Sequence, residues 1–270
     1  MSRSVFMANL IAKLIPREFK RFEFLQKANR AKWLEDKFFE GDDMVCVIKD
    51  SVILVGKHID NPDNIVMPSA VANHFIEKAS FIWIMDKCIC RYGLGCKNYP
   101  IEYGCMFLGE AARGINPDMG REASKEEAIN FLAKCREAGL VHFLGRSKLD
   151  TIYHKIGPGN RLFTICSCCP CCCISRGLPH SPENIKKHFS KIPGIKITVN
   201  ENCIACGKCA ENCFMKAISI QGETSSIGEN CMGCGRCVEI CPEKAISVSV
   251  ENENYVKEVI EQLIKAVDVT

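Results

Sequence analysis

Apolar residues recur at helical intervals through the first forty positions. Phe19, Phe22 and Leu25 are followed by Trp33, Leu34 and Phe38, and Gly41 is placed to stop the run. The period then changes. Met44–Ile48 and Val52–Val55 are short β-branched runs joined by Lys49-Asp50-Ser51, which predicts a hairpin. Pro68-Ser69 opens a helix through Ala79, and the continuous apolar run Phe81–Met85 reads as a buried strand. Ser124-x-x-Glu127 has the form of a capping box, in which the serine oxygen accepts an orphan amide and the glutamate reaches back. That helix runs to Ala138, where Gly139 can take the left-handed turn that ends it. Leu140–Leu144 is a strand, Gly157-Pro158-Gly159-Asn160 a turn, and Ser181-Pro182 the start of a short helix. Val256, Val259, Ile260, Leu263, Ile264 and Val267 share one face of a closing helix whose expected role is to cover the domain.

Pro193-Gly194 interrupts the pattern, and an internal repeat follows. Ile197–Val199, a cysteine run and Ala217–Ile220 are echoed by Ser225–Ile227, a second cysteine run and Ala245–Val250. The expected organisation is N-terminal helices and a β-hairpin over 1–60, a cysteine-rich cluster-binding domain over 61–193, the repeated module over 194–250, and a C-terminal helix over 251–270.

Composition narrows the chemistry. The chain has 270 residues, 47% of them hydrophobic, and 20 cysteines. That length is enough for one large or two modest cores. Disulfide scaffolds belong to short secreted chains. Here the start, from Met1 to Pro16, is broken by Arg3 and Lys13 and reads as no signal peptide. No apolar stretch approaches the roughly 18 residues of a spanning helix. The expected home is a reducing cytoplasm, anaerobic because thiolates and clusters oxidise. Residues 1–199 carry 29 Lys+Arg against 21 Asp+Glu, and residues 200–270 carry 6 against 11. The net +3 is therefore +8 in front and −5 behind, and bound thiolates would add to the negative end. No dense Lys/Arg block occurs, which argues against a nucleic-acid partner.

The strongest chemical signal is in the tail. Cys203-x-x-Cys206-x-x-Cys209-x-x-x-Cys213 is followed by Cys231-x-x-Cys234-x-x-Cys237-x-x-x-Cys241-Pro242. This paired spacing suits two cubane [4Fe–4S] clusters. Spaced C-x-x-C pairs also bind zinc, but the third x-x-C and the x-x-x-C fit iron–sulfur better. Ala205, Gly207, Gly233 and Gly235 leave room for close backbone approach to sulfur. Residues 200–250 resemble bacterial-type two-cluster ferredoxins, about a fifth of the chain. The resemblance implies that the fourth cysteine of each run ligates the opposite cluster. Cys203, Cys206, Cys209 and Cys241 would then hold one cluster, and Cys231, Cys234, Cys237 and Cys213 the other. Cys213 is followed by Phe214 where Cys241 has Pro242, a departure that touches no ligand. The expected fold class is α+β: a helical or mixed N-terminal cysteine-rich domain, then a ferredoxin-type 2[4Fe–4S] βαββαβ-like domain.

Twelve cysteines remain. Cys88, Cys90, Cys96 and Cys105 follow the buried strand and are enough for one cluster. Cys166, Cys168, Cys169, Cys171, Cys172 and Cys173 crowd eight positions. Adjacent side chains point apart, so either four of these six bind one cluster or some join the first group in a shared cluster. One or two further iron–sulfur clusters are therefore expected in the front half. Dense Cys-Cys spacing also suits Cu(I) or zinc, and that alternative stays open. Arg91 and Arg176 flank the runs and can donate to sulfur. His180 lies near the second run. Cys46 and Cys135 stand alone and read as small hydrophobes. Residues 68–173 also loosely resemble a group of iron–sulfur proteins of anaerobes, through Cys88-Ile89-Cys90-Arg91, Cys96-Lys97-Asn98-Tyr99-Pro100 with Cys105, Gly139-Leu140-Val141-His142, and the 166–173 run. That resemblance implies multi-cluster electron carriage and names no substrate.

The expected function is relay of low-potential electrons, roughly −400 mV, between the tail module and the front clusters. The chain would serve as a subunit or partner of an anaerobic redox enzyme, with redox proteins as partners, no membrane span, and homo- or hetero-oligomers open. No catalytic residue is assigned and no phosphate loop or nucleophile elbow occurs. The alternatives are a reductase whose front cluster binds a small substrate, and a metal or cluster carrier using the dense thiols.

Overall fold

The computed structural model describes residues 2–14, 31–47, 53–54 and 69–270, with helix α1 over residues 5–14. The helical pattern around Phe19, Phe22 and Leu25 lies outside these residues, as do Val52 and Val55. In chain order there follow α2 (Ala31–Phe38), β1 (Asp43–Val47), β2 (Ile53–Leu54), α3 (Ser69–Lys78), β3 (Ile82–Met85), α4 (Ile89–Leu94), β4 (Met106–Leu108), β5 (Gly120–Glu122), α5 (Lys125–Glu137) and β6 (Val141–Arg146). Then come α6 (Lys148–His154), β7 (Phe163–Cys168), α7 (Glu183–Lys186), β8 (Phe189–Lys191), β9 (Ile195–Val199), α8 (Lys208–Glu211), β10 (Ile218–Gln221), β11 (Thr224–Ile227), α9 (Arg236–Ile240), β12 (Ile246–Val250) and α10 (Tyr255–Ala266). The architecture mixes helices with sheets, in keeping with the α+β expectation.

The front half is built on a seven-stranded sheet of order β5-β3-β4-β7-β6-β1-β8, antiparallel throughout except for the β1–β8 pair. Alternation along the strands gives the two faces different work. Val45, Ile84, Met106, Leu108, Leu144, Phe163 and Ile165 pack with Phe75 of α3, Leu132 of α5 and Val259 and Leu263 of α10 in one continuous core. The residues between them point the other way. Cys46 stands opposite Phe143, Phe143 opposite Cys166, and Val141 opposite Cys168, so two rows of one face bring thiols and apolar side chains together.

Local chemistry holds the helices in place. Ser124 and Glu127 form the expected capping box at the start of α5, with the Glu127 N–H donating to Ser124 Oγ at 3.1 Å and the Ser124 N–H to Glu127 Oε2 at 2.8 Å. Helix α1 lies directly on the backbone of α4: a Cβ at Gly93 would stand 2.0 Å from the Ala12 carbonyl oxygen, so only glycine fits. The closing helix α10 packs on α3, β1 and β6, and thus covers the front sheet.

The predicted hairpin at 44–55 does not form. β1 joins β6 and β8 in the large sheet, whereas β2 runs parallel to β12 in a three-stranded sheet of order β2-β12-β9. Both runs contain strands, but each pairs with a longer-range partner. The tail follows the order β9-α8-β10-β11-α9-β12, with β10 and β11 paired antiparallel. Its core is not sealed off at Pro193: Ile192, Ile195, Val248 and Val250 belong to the same apolar cluster as the front sheet. Among the described residues no helix is long and apolar enough to cross a membrane.

Candidate metal centres

The tail repeats itself in backbone as well as in sequence. α8 and α9 each start after a left-handed glycine, Gly207 at φ +76° and Gly235 at φ +73°. Ala205 and Gly233 are left-handed just before them, and Lys216 and Lys244 just after, each pair at matching positions. This winding turns amides toward sulfur. The Ala217 N–H donates to Cys213 Sγ at 3.4 Å, and its counterpart, the Ala245 N–H, donates to Cys241 Sγ at 3.3 Å. Cys203, Cys206, Cys209 and Cys241 line one small cavity, and Cys213 is not among its walls. Cys213, Cys231 and Cys234 instead face the front half, with Phe214 and Met215 between them and the sheet.

The electrostatics of the two sets differ. The Ser225 hydroxyl and the Ala205 amide hold the Cys203 thiol down to about 7. Burial pushes Cys234 up to about 12, with Cys231 and Cys213 adding to the rise. A buried thiol held that high is protonated at neutral pH unless a bound cation offsets its charge, which is the condition for a metal centre. Donor set, amide-to-sulfur bonds and a cavity walled by four thiols all fit a cluster.

Residues 202–245 match the family model of the 4Fe-4S dicluster domain. The dicluster domain is an iron–sulfur, ferredoxin-like unit, and it accounts for a [4Fe–4S] site and for electron-transfer chemistry in the tail. Neither the curated proteins nor the solved structures yield a match to the chain. The dicluster domain docks on the front half through Arg236, a buried residue at the start of α9. Its Nη1 donates to the Gly139 carbonyl at 2.7 Å and its Nη2 bonds the Tyr99 hydroxyl.

The ten front thiols do not group in chain order. Cys96 leaves the 88–105 run and joins Cys169, Cys171 and Cys172; these four sulfurs all lie within 4.8 Å of one another. The other six meet on the thiol-bearing face of the sheet. Cys105 Sγ stands 3.8 Å from Cys166 Sγ, and Cys168 Sγ 3.1 Å from Cys173 Sγ. Cys90 bonds both Cys88 and Cys173, which closes the set. The Cys90 hydrogen bond, opposed by burial and assisted by the Arg91 cation, holds Cys88 down to about 7.

Arg91 sits between the two groups, fully buried. Its Nε donates to the Pro100 carbonyl at 2.8 Å, Nη1 to the Ser167 carbonyl at 2.8 Å, and Nη2 to the Tyr103 carbonyl. Its charge faces Cys88, Cys105 and Cys169. The arginine therefore ties both cysteine loops to the strand that carries Cys166 and Cys168. Arg176 is exposed and bonds the Cys171 carbonyl, and His180 is exposed at the end of a 3-10 turn. Cys135 is buried on α5 beside Cys169 and Cys172. Cys46 is buried between the halves, close enough to Cys234, Cys231 and Cys173 for their charge to reinforce the effect of burial in raising its pKa.

Nothing in the sequence marks Arg236 and Tyr99 as the seam between the halves, since neither is a metal-ligand residue type. Phe214, which stands where the second run has Pro242, has a packing role that its sequence position does not reveal. The Phe214 ring packs edge-on to Phe143, centroids 5.9 Å apart, within the apolar cluster that holds thiols of both tail and front.

Proposed function

We propose that the chain relays low-potential electrons between the dicluster domain and an iron–sulfur cluster in the front half, as a subunit or partner of a redox enzyme in a reducing cytoplasm. Cys203, Cys206, Cys209 and Cys241 hold the outer tail cluster, and Cys231, Cys234, Cys237 and Cys213 the inner one. Cys88, Cys90, Cys105, Cys166, Cys168 and Cys173 supply the front cluster. A [4Fe–4S] centre contributes a one-electron couple that needs no proton and no substrate, at roughly −400 mV.

The observation that carries this reading is a single apolar layer shared by two thiol sets. Met44, Cys46, Val141, Phe143 and Phe214 pack with Cys168 and Cys173 on one side and with Cys213, Cys231 and Cys234 on the other. The layer excludes water and fixes the separation of the two sites. At the far end Cys206 is exposed, with Ile204 61% exposed beside it. Charge can enter there from a docking redox protein and pass inward. The front set has sulfur to spare, which works against an iron left open for a substrate.

Rapid anaerobic mixing with a reduced donor tests the order of events. Tail absorbance bleaches before front absorbance in the wild type. In Cys234→Ser the front iron is retained but is reduced much more slowly. Front reduction at the wild-type rate in that variant, or no redox couple below zero on the hydrogen scale, would exclude the relay.

A further inference from the structure

Cys96, Cys169, Cys171 and Cys172 are set apart from every other thiol group by their spacing. Cys171 Sγ is 3.6 Å from each of Cys96, Cys169 and Cys172, and all four sulfurs fall within 4.8 Å. Four thiolates around one ion at a bond length of about 2.3 Å stand about 3.8 Å apart, the edge of a tetrahedron. Around a cubane each thiolate extends outward from a different iron, so the ligand sulfurs stand about 6 Å apart. The spacing therefore fits one ion and is too tight for a cube. The dicluster thiols provide an internal control: among the described residues no three of them converge within 4.8 Å, as a cubane requires. The six-thiol front set likewise gathers in pairs with no such foursome.

Two further features agree. Cys169-Pro170-Cys171-Cys172 contains a C-x-x-C step, and the Cys172 N–H donates to Cys169 Sγ at 3.3 Å, the turn that presents two thiolates to one metal. The site is closed. Cys169 and Cys172 are buried, and Leu94, Tyr99, Tyr103, Phe131, Cys135 and Leu140 pack round the group.

We infer that these four cysteines bind a single divalent ion, zinc or ferrous iron, as a tetrahedral tetrathiolate that pins the 88–105 loop to the loop after β7. Four protein sulfurs leave no position for water or substrate, as in structural zinc sites. Zinc binds such a site more tightly than ferrous iron on the usual affinity order, so zinc is the expected occupant. The inference refines the front half of the proposed relay, yet its test does not depend on electron transfer.

Metal and acid-labile sulfide are counted in the full-length protein, purified anaerobically, as wild type and as Cys96→Ser and Cys172→Ser. The expected result is loss of about one zinc, or one iron, per chain with sulfide unchanged. Loss of about four irons with matching sulfide would assign a cubane and overturn the inference, as would no metal loss at all. Should the variants fail to fold, zinc-edge X-ray absorption on the wild type decides. Four sulfurs at about 2.3 Å with no neighbouring iron supports the site, whereas nitrogen or oxygen ligands, or no stoichiometric zinc together with sulfide matching all the iron, sinks it.

Discussion

The tail and the front half both gather thiols, but over very different stretches of chain. In the tail, Cys203, Cys206 and Cys209 of one tight loop line a cavity with Cys241 of the matching loop. In the front half, Cys96 meets Cys171 across 75 residues and Cys105 meets Cys166 across 61. The tail sites are built by local winding, through left-handed Gly207 and Gly235. The front sites are built by strand pairing, because β4 beside β7 is what sets Cys105 against Cys166. A site wound locally tolerates damage elsewhere, whereas a site assembled by a sheet depends on the whole sheet and on whatever holds its loops.

The sharpest break of this contrast is Arg91→Leu. It leaves the Pro100, Ser167 and Tyr103 carbonyls without their donor, at about 1–3 kcal/mol each, on the order of 5 kcal/mol together. Denaturant unfolding should show the front half destabilised by that amount, with front metal lost while tail iron persists. Cys206→Ser makes the complementary cut. It should remove about four irons and four sulfides from the tail and leave the front metal in place. Equal loss in both halves would show that they fold as one unit.

A pH titration probes the front alone. His154 is buried against Phe107, and burial, aided by the Arg3 cation, holds its pKa down to about 4 from 6.5. The unfolded chain therefore binds the proton first. Stability is fully present above pH 6.5 and falls as pH drops toward 4, by on the order of 3 kcal/mol. In His154→Leu this part of the acid sensitivity should vanish from melting curves recorded across that window. Arg236→Gln addresses the seam. Losing the bonds to Gly139 and Tyr99 should cost about 2 kcal/mol and raise amide exchange in α9. Ser124→Ala, which removes one cap far from any thiol, should cost about 1 kcal/mol and leave all metal bound.

The same contrast explains what could be read in advance. The tail's repeat, its spacing and its βαββαβ order lie within 55 residues of chain or so, where short-range rules apply. The capping box at Ser124, the strand at 82–85 and the helix at 69–78 were legible for that reason. β7 was not, because four of its last residues are Cys166, Ser167, Cys168 and the Ile165 before them, and a cysteine run hides a period of two. Once paired with β6, the alternation is plain: Cys166 and Cys168 join Val141 and Phe143 on one face, and Ser167 turns to the other. The division of ten thiols into six and four could not be read at all, since Cys96 meets Cys171 across 75 residues of chain. The hairpin at 44–55 failed on the same ground, as two short strands each with a better partner far away.

The pairing of β2 carries a practical consequence. β2, only Ile53–Leu54, lies parallel against β12 and flanks the last strand of the tail module. A fragment cut at Pro193 would hold every tail thiol, yet it would bare a row of unsatisfied backbone donors and acceptors along Val248 and Ser249. Such a margin recruits strands from neighbouring molecules. A minimal tail fragment should therefore self-associate through that border unless the missing dipeptide's place is filled.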